Sequence, residues 1–166
     1  MCQVVPYAPI HKEGVIRAVR AVYDEYGFTW EAEGYNRDLY EIEAHYIERG
    51  GMFWVLVASE RGTRKAERGA GAVVGCVGVL LHGAESELHR MYMLAEHRGR
   101  GLGRKMLETA IEYARSKGCR AMRAWSDVKL TDAHKLYLRS GFVHKGERIC
   151  DDPDKSHEYG FWKEPL

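Results

Sequence analysis

Residues 87–105 read ELHRMYMLAEHRGRGLGRK, and the fold turns on this stretch. Its first part belongs to an alternating run over 86–94 (SELHRMYML), the period-2 pattern of a half-buried strand. Its last part opens a helix over about 101–117. There Leu102, Met106, Leu107, Ala110, Ile111 and Ala114 recur at helical spacing, and Gly118 stops the run. Between the two lies Arg98-Gly99-Arg100-Gly101-Leu102-Gly103. Glycines let a backbone come close to a ligand, and the first N–H groups of a helix lack acceptors and sit at the positive end of its dipole. Arg98, Arg100, Arg104 and Lys105 add full positive charge. Such a helix start is suited to phosphate groups.

Working outward, Val15, Ile16, Val19, Val22, Tyr23 and Tyr26 give a helix over about 11–26 that ends near Gly27. Leu39, Tyr40, Ile42, Tyr46 and Ile47 predict a second helix over 36–49. Residues 52–59 (MFWVLVAS) and 72–81 (AVVGCVGVLL) are β-branched and aromatic and read as paired strands. The polar, glycine-bearing run 60–71 (ERGTRKAERGAG) reads as the hairpin loop joining them. Residues 121–126 form another strand. Thr131 is expected to cap a short helix through Arg139, with Gly141 at its end. Two last strands, about 142–149 and 157–163, flank a DDPDKS turn. The order is β-α-α-β-β-β-α-β-α-β-β. That predicts one α/β domain over 1–166, with a mixed, mostly antiparallel central sheet and helices on both faces.

Composition narrows the function. Lys+Arg number 25 and Asp+Glu 24, a net charge of +1, which argues against a nucleic-acid binder that needs a distributed basic face. The longest apolar stretch, 70–81, is well short of the roughly 18–20 residues of a membrane span. The first residues, MCQVVPYAPIHKEG, carry no secretory pattern, so a cytoplasmic location is expected. Cys2, Cys76, Cys119 and Cys150 form no CxxC pair and have no histidine at ligand spacing. They read as free thiols, with no metal site.

The phosphate loop is neither of two common types. Lys105 is followed by Met106, which breaks the Walker pattern, and the spacing G-x-G-x-G is not the dinucleotide G-x-G-x-x-G. It resembles instead the R-x-x-G-x-G pyrophosphate loop of the GNAT superfamily, the acyl-CoA-dependent N-acyltransferases. Residues 93–98 (MLAEHR) are similar to that family's passage from strand to loop, with Ala95 where proline is common. Residues 133–142 (AHKLYLRSGF) resemble its A-x-x-L-Y-x-x-x-G-F segment, and the predicted element order is the family's.

The resemblance implies an acetyltransferase that uses acetyl-CoA and no metal, acting on a primary amine by direct attack. It implies that the donor lies between diverging parallel strands, here 86–94 and 121–126. Backbone groups of Met91, Tyr92 and Met93 would pair with its pantetheine arm. Residues Arg98, Gly99, Arg100, Gly101, Leu102, Gly103 and Arg104 would hold its diphosphate. Tyr137 would protonate the leaving thiolate, and the N–H of Met93 or Leu94, at a strand bulge, would face the oxyanion. Glu87 and His89 compete as base, with a water chain and neither residue as the third alternative, and simple alternation puts Met91 and Met93 on the same face as both. Leu130 stands where the family often has asparagine, so either Thr131 or Asp127 substitutes in contacting the donor or that contact is absent. A cationic acceptor would suit the aromatic and acidic stretch 23–35 together with Asp151, Asp152 and Asp154. A homodimer through the sheet edge or the last hairpin, to which Phe161 and Trp162 would contribute, is a further implication. A non-catalytic acyl-CoA sensor is the alternative.

Overall fold

The computed structural model describes residues 1–59 and 71–166; the hairpin loop expected over 60–71 falls, but for Gly71, outside them. The described strands are β1 (Cys2–Pro6), β2 (Met52–Ala58), β3 (Ala72–His82), β4 (Glu85–Met93), β5 (Ala121–Asp127), β6 (Val143–Ile149) and β7 (His157–Lys163). They form one sheet in the order β1-β2-β3-β4-β5-β7-β6. Among these neighbours β4 and β5 run parallel, and the others pair antiparallel.

Helices cover both faces. On one side lies α1 (Lys12–Tyr26), which buries Val15, Ile16, Val19, Val22 and Tyr23, each side chain worth roughly 1.5–3 kcal/mol when fully withdrawn from water. Gly27 ends it in the left-handed region (φ 73°). On the other side lie α2 (Leu102–Ser116) and α3 (Thr131–Arg139). Met106, Leu107 and Ala110 of α2 pack with Leu88, Met122 and Phe161 of the sheet. Gly78 of β3 shows how tightly the α1 face is filled, since a Cβ there would stand 2.8 Å from the Tyr46 ring.

Three expectations need correction. The helix predicted over 36–49 is two short turns, a 3-10 turn at Arg37–Leu39 and a π turn at Glu43–Ile47. Leu39, Ile42 and Tyr46 are fully buried as the pattern required, but the backbone between them bends so that Asp38 also faces inward. Thr131 is not a cap. It is the first residue of α3, Leu130 holds the cap position, and no side chain closes the end. Phe161 is buried in the core and offers nothing to a partner, while Trp162 packs edge-on against Trp125.

Candidate active site

The parallel ladder between β4 and β5 is short. It runs from Glu85↔Ala121 to Leu88↔Ala124. Beyond that point β5 keeps its hydrogen bonds to β7 as far as Asp127↔Glu158, and β4 keeps its bonds to β3 as far as Met93↔Gly75. The two strands therefore splay, leaving a V-shaped opening in the sheet.

A bulge in β4 shapes that opening. Between the pairs His89↔Gly78 and Tyr92↔Cys76, β4 has one residue more than β3, and neither Arg90 nor Met91 has a register partner. Arg90 takes φ 49°, uncommon for a residue with a side chain, and its carbonyl accepts the Cys76 thiol at 3.2 Å. The extra residue resets the alternation. Glu87, His89, Arg90 and Tyr92 face α1, whereas Leu88, Met91 and Met93 face α2 and α3. The expectation that Met91 and Met93 share a face with Glu87 fails for this reason.

On the α2–α3 side the opening becomes a groove of about 960 Å³. Met91, Tyr92, Met93, Arg98, Gly99, Gly101, Gly103 and Arg104 line it; Arg100 and Leu102 do not, and Leu102 packs against the core. Gly99 (φ 73°) and Gly101 (φ 76°) hold left-handed conformations, and a Cβ on either would meet nothing within 4 Å. The Lys105 N–H returns to the Gly101 carbonyl at 3.1 Å, so the amides just before it stand at the open end of α2 with no acceptor in the helix. A row of free N–H groups on a helix start fits a diphosphate. Arg98 is spent elsewhere. Its two terminal nitrogens each reach Glu25 at 2.7 Å, and its Nε donates to the Met93 carbonyl at 2.9 Å. Arg104 pairs with Glu108 in solvent.

The two amides considered for the oxyanion separate. Leu94 N–H donates to Val74 O at 2.9 Å and is not free. Met93, one residue earlier, takes the alternate position, where N–H and C=O turn away from β3 toward the opening.

On the α1 side a second cavity of about 420 Å³ meets the groove, since Tyr92 and Leu130 line both. Leu130 thus sits at the junction, and Asp127 lines the second cavity rather than the groove. From stretch 23–35, Tyr23, Phe28, Gly34 and Tyr35 reach that cavity, but the four carboxylates there do not. The acidic groups that do are Asp38, Glu41, Glu87, Asp127, Asp152 and Glu158. Asp151 pairs with Lys155, and Asp154 binds Thr29 through its N–H (2.7 Å) and hydroxyl (2.6 Å), closing the turn of the last hairpin onto the loop after α1.

Comparison with known proteins agrees with this geometry. Residues 18–142 match the Acetyltransferase (GNAT) family. The chain is 31% identical to the N-acetyltransferase YjgM of Escherichia coli, with 87% of each covered. The chain belongs to the GNAT family. It is accordingly an acyl-CoA-dependent N-acetyltransferase, and acetyl-CoA is that family's co-substrate. N-acetyltransferase 8 of rat is 29% identical over 69% of this chain, which spans half of that longer protein. A GNAT acetyltransferase of Staphylococcus aureus superposes with a TM-score of 0.81 at 19% identity, covering 99% of both chains. The structure of yncA from Salmonella typhimurium, solved with its cofactor acetyl-CoA, gives 0.75 at 16% identity, covering 99% of this chain and 94% of that one.

Within this GNAT site the electrostatics separate the two base candidates. Glu87 Oε1 lies 2.7 Å from His89 Nε2, and its Oε2 accepts Arg123 Nε at 2.7 Å. Burial raises the Glu87 pKa, but the hydrogen bonds and charges of His89 and Arg123 outweigh it and bring the group down to about 2. A carboxylate so held only accepts, so it fixes the neutral imidazole with hydrogen on Nε2 and leaves Nδ1 bare. Tyr137 is buried between Phe142 and Phe161, and its hydroxyl contacts Met91 Sδ at 4.0 Å. It reaches the groove wall through Met91, and burial pushes its pKa well up.

Sequence reasoning missed a buried network around Arg90. The guanidinium binds Asp38 twice (2.9 and 2.6 Å), the Tyr23 hydroxyl (3.0 Å) and the Tyr35 carbonyl (2.6 Å), and Tyr46 donates to Asp38 at 2.6 Å. Burial opposes both charges, yet the pairing keeps Asp38 below and Arg90 above its ordinary value. An arginine inside an otherwise alternating strand was the one signal in the sequence.

Proposed function

We propose that this chain transfers an acetyl group to the primary amine of a cationic acceptor by direct attack, working in the cytoplasm. Acetyl-CoA supplies the activated acyl group. The observation that carries the reading is the end of parallel pairing at Leu88/Ala124, with a cavity on each face of the sheet meeting at Tyr92 and Leu130. One cavity suits the donor and the other the acceptor, so both bind together.

The amides at the start of α2 hold the diphosphate, and the backbone at Met91–Met93, where Met91 has no register partner on β3, pairs with the pantetheine arm as an added strand would. The Met93 N–H faces the developing oxyanion. An alkyl ammonium has a pKa of about 10.4 and must lose a proton before it attacks. His89 takes that proton on Nδ1, held in place by Glu87. Tyr137 gives its proton to the leaving sulfur.

Charge supports a cationic acceptor. In the α1-side cavity Asp38 pairs with Arg90, Glu41 with Arg37, Glu87 with Arg123 and Glu158 with Arg148. Asp127 and Asp152 have no cation at ion-pair distance among the described residues. Their charges reach Glu158, whose pKa burial raises and they raise further against the pull of Arg148. The free thiols of all four cysteines suit a reducing compartment.

Thiol release from acetyl-CoA tests this with n-butylamine, 1,4-diaminobutane, lysine amide and aspartate as acceptors. Turnover with the cationic amines is expected. Activity confined to aspartate removes the acceptor assignment, and acetyl-CoA binding without turnover favours a sensor.

A further inference from the structure

Helices α2 and α3 face one another across the donor groove, and the groove runs on past the glycine cradle. Leu136 of α3 marks where the cradle ends, because a Cβ on Gly103 would stand 3.3 Å from its Cδ2. Residues three and four positions apart share a helix face, so Arg139 and Ser140 follow Leu136 along the same wall, one turn of about 5.4 Å further on. All three line the groove. Lys163, the last residue of β7, joins them there. A Cβ on Gly141 would stand 2.8 Å from its Nζ, which sets the half-buried ammonium against the end of α3.

The cations of the groove fall into two sets. Near the cradle they are answered by acids: Arg98 binds Glu25, Arg104 binds Glu108, and Lys135 lies 3.6 Å from Asp132. Beyond it, Arg139, Lys163 and, across the groove on α2, Arg115 have no acid at ion-pair distance among the described residues. Against these three stands a single carboxylate without a cation among the described lining residues, Glu112, so this end is left net positive.

A diphosphate does not single out coenzyme A, since many nucleotides carry one. What sets coenzyme A apart is a further phosphate on the ribose 3′ oxygen, and that ribose is joined directly to the diphosphate. A phosphate monoester bears close to two negative charges at pH 7. A guanidinium takes such a group through parallel N–H bonds, and an ammonium beside it adds a point charge.

We infer that Arg139 and Lys163 receive the 3′-phosphate of the donor, and that Arg139 makes the chain prefer coenzyme A over nucleotides lacking that group. This rests on the reading above in which the α2 amides hold the diphosphate. The donor then lies with its thioester where the two cavities meet, its diphosphate on the glycine cradle and its ribose between α2 and α3. Arg139 also stands in the last turn of α3, where positive charge suits the helix dipole whatever is bound. A dipole role alone would not tell one ligand from another.

Calorimetry on the intact chain with coenzyme A and with 3′-dephospho-coenzyme A reads the contact. Wild type should bind coenzyme A about 10-fold tighter or more, the worth of one charge-assisted pair. Arg139→Ala should bind the two ligands within about threefold of each other, and should bind the dephospho form as wild type does. Arg139→Lys should keep part of the preference, and Lys163→Ala should reduce it by about threefold. Salt should weaken coenzyme A more than the dephospho form in wild type, and that excess should shrink in Arg139→Ala. Equal affinities in wild type overturn the inference, as does a preference that survives intact in Arg139→Ala. A loss in Arg139→Ala that is the same for both ligands also overturns it, since a purely structural arginine would give that result. Should Arg139→Ala fail to fold, Arg139→Gln decides in its place. Gly101→Ala should weaken both ligands alike, which separates the cradle from the phosphate subsite. A wild type that binds neither ligand sinks the diphosphate reading and this inference with it. A wild type that binds both equally sinks this inference alone.

Discussion

The Glu87 carboxylate sits 2.7 Å from His89 Nε2 as a fixed orienting group. A base that titrates near 2 is too weak to strip a proton from an amine at neutral pH. In the proposed mechanism its value lies in fixing which imidazole nitrogen is bare. Glu87→Gln, which keeps the shape but not the charge, should lower kcat by about 10–100-fold and leave acetyl-CoA affinity unchanged. The same group makes a stability prediction. Its folded pKa lies below the unfolded value of 4.5, so it stabilises the fold above about pH 4.5, and that contribution fades as pH falls toward 2. The difference in melting temperature between wild type and Glu87→Gln should be largest near pH 6 and shrink by pH 3. A carboxyl titration by NMR with a midpoint near 4.5 would contradict both.

The Arg90–Asp38 pair is buried on both sides, each side chain 8% exposed. Removing one partner strands the other charge, which typically costs about 3–5 kcal/mol, whereas replacing both with apolar residues costs much less. Asp38→Leu and Arg90→Met should each lower the urea midpoint strongly, and the double variant should recover much of the loss. Arg90 is itself the bulge residue at φ 49°, tied down by this pair, so the double variant should fold yet turn over slowly.

Tyr137 gives the opposite balance. Its hydroxyl has one weak contact, a methionine sulfur at 4.0 Å, so Tyr137→Phe should change stability by less than about 1 kcal/mol. Loss of the acid should still cut kcat by about 10-fold or more while acetyl-CoA binds as before. Unfolding curves and thiol release on the same preparation separate the two effects. Unchanged kcat would move the acid role to another group.

What the sequence disclosed follows from which forces are local. The helices over Lys12–Tyr26 and Leu102–Ser116 were legible because their buried residues repeat every three or four positions and left-handed glycines, Gly27 and Gly118, punctuate them. The phosphate loop was legible because its glycines and the helix start are contiguous. The broken turns at 37–47 were not. The spacing of Leu39, Ile42 and Tyr46 reports a buried side whatever the backbone does, and the bend answers to Arg90, fifty-two positions beyond Asp38. The bulge at Arg90 was hidden likewise, since alternation carries no mark of an inserted residue until strand pairing exists.

The last prediction concerns Arg98, whose place in the R-x-x-G-x-G pattern suggests a phosphate contact. Here it braces the loop against α1 through Glu25 and against β4 through the Met93 carbonyl. The Glu25 hydrogen bonds raise its pKa, burial opposes, and the pair is half-open to solvent, so as a salt bridge it is worth at most about 1 kcal/mol. In the proposed mode of binding, recognition of the diphosphate then falls to the backbone around Gly99 and Gly101. Gly101→Ala meets no atom, but it forces a side chain into φ 76°, at a cost of about 1 kcal/mol or more, and turns the amides of the cradle. Acetyl-CoA affinity should drop about 10-fold for Gly101→Ala and less than about fivefold for Arg98→Ala. An arginine that touched phosphate directly would also make binding more sensitive to salt, so the slope of affinity against ionic strength should be the same in Arg98→Ala as in wild type. Calorimetry at two salt concentrations reads both quantities, and a flattened slope in Arg98→Ala would return the arginine to the phosphate.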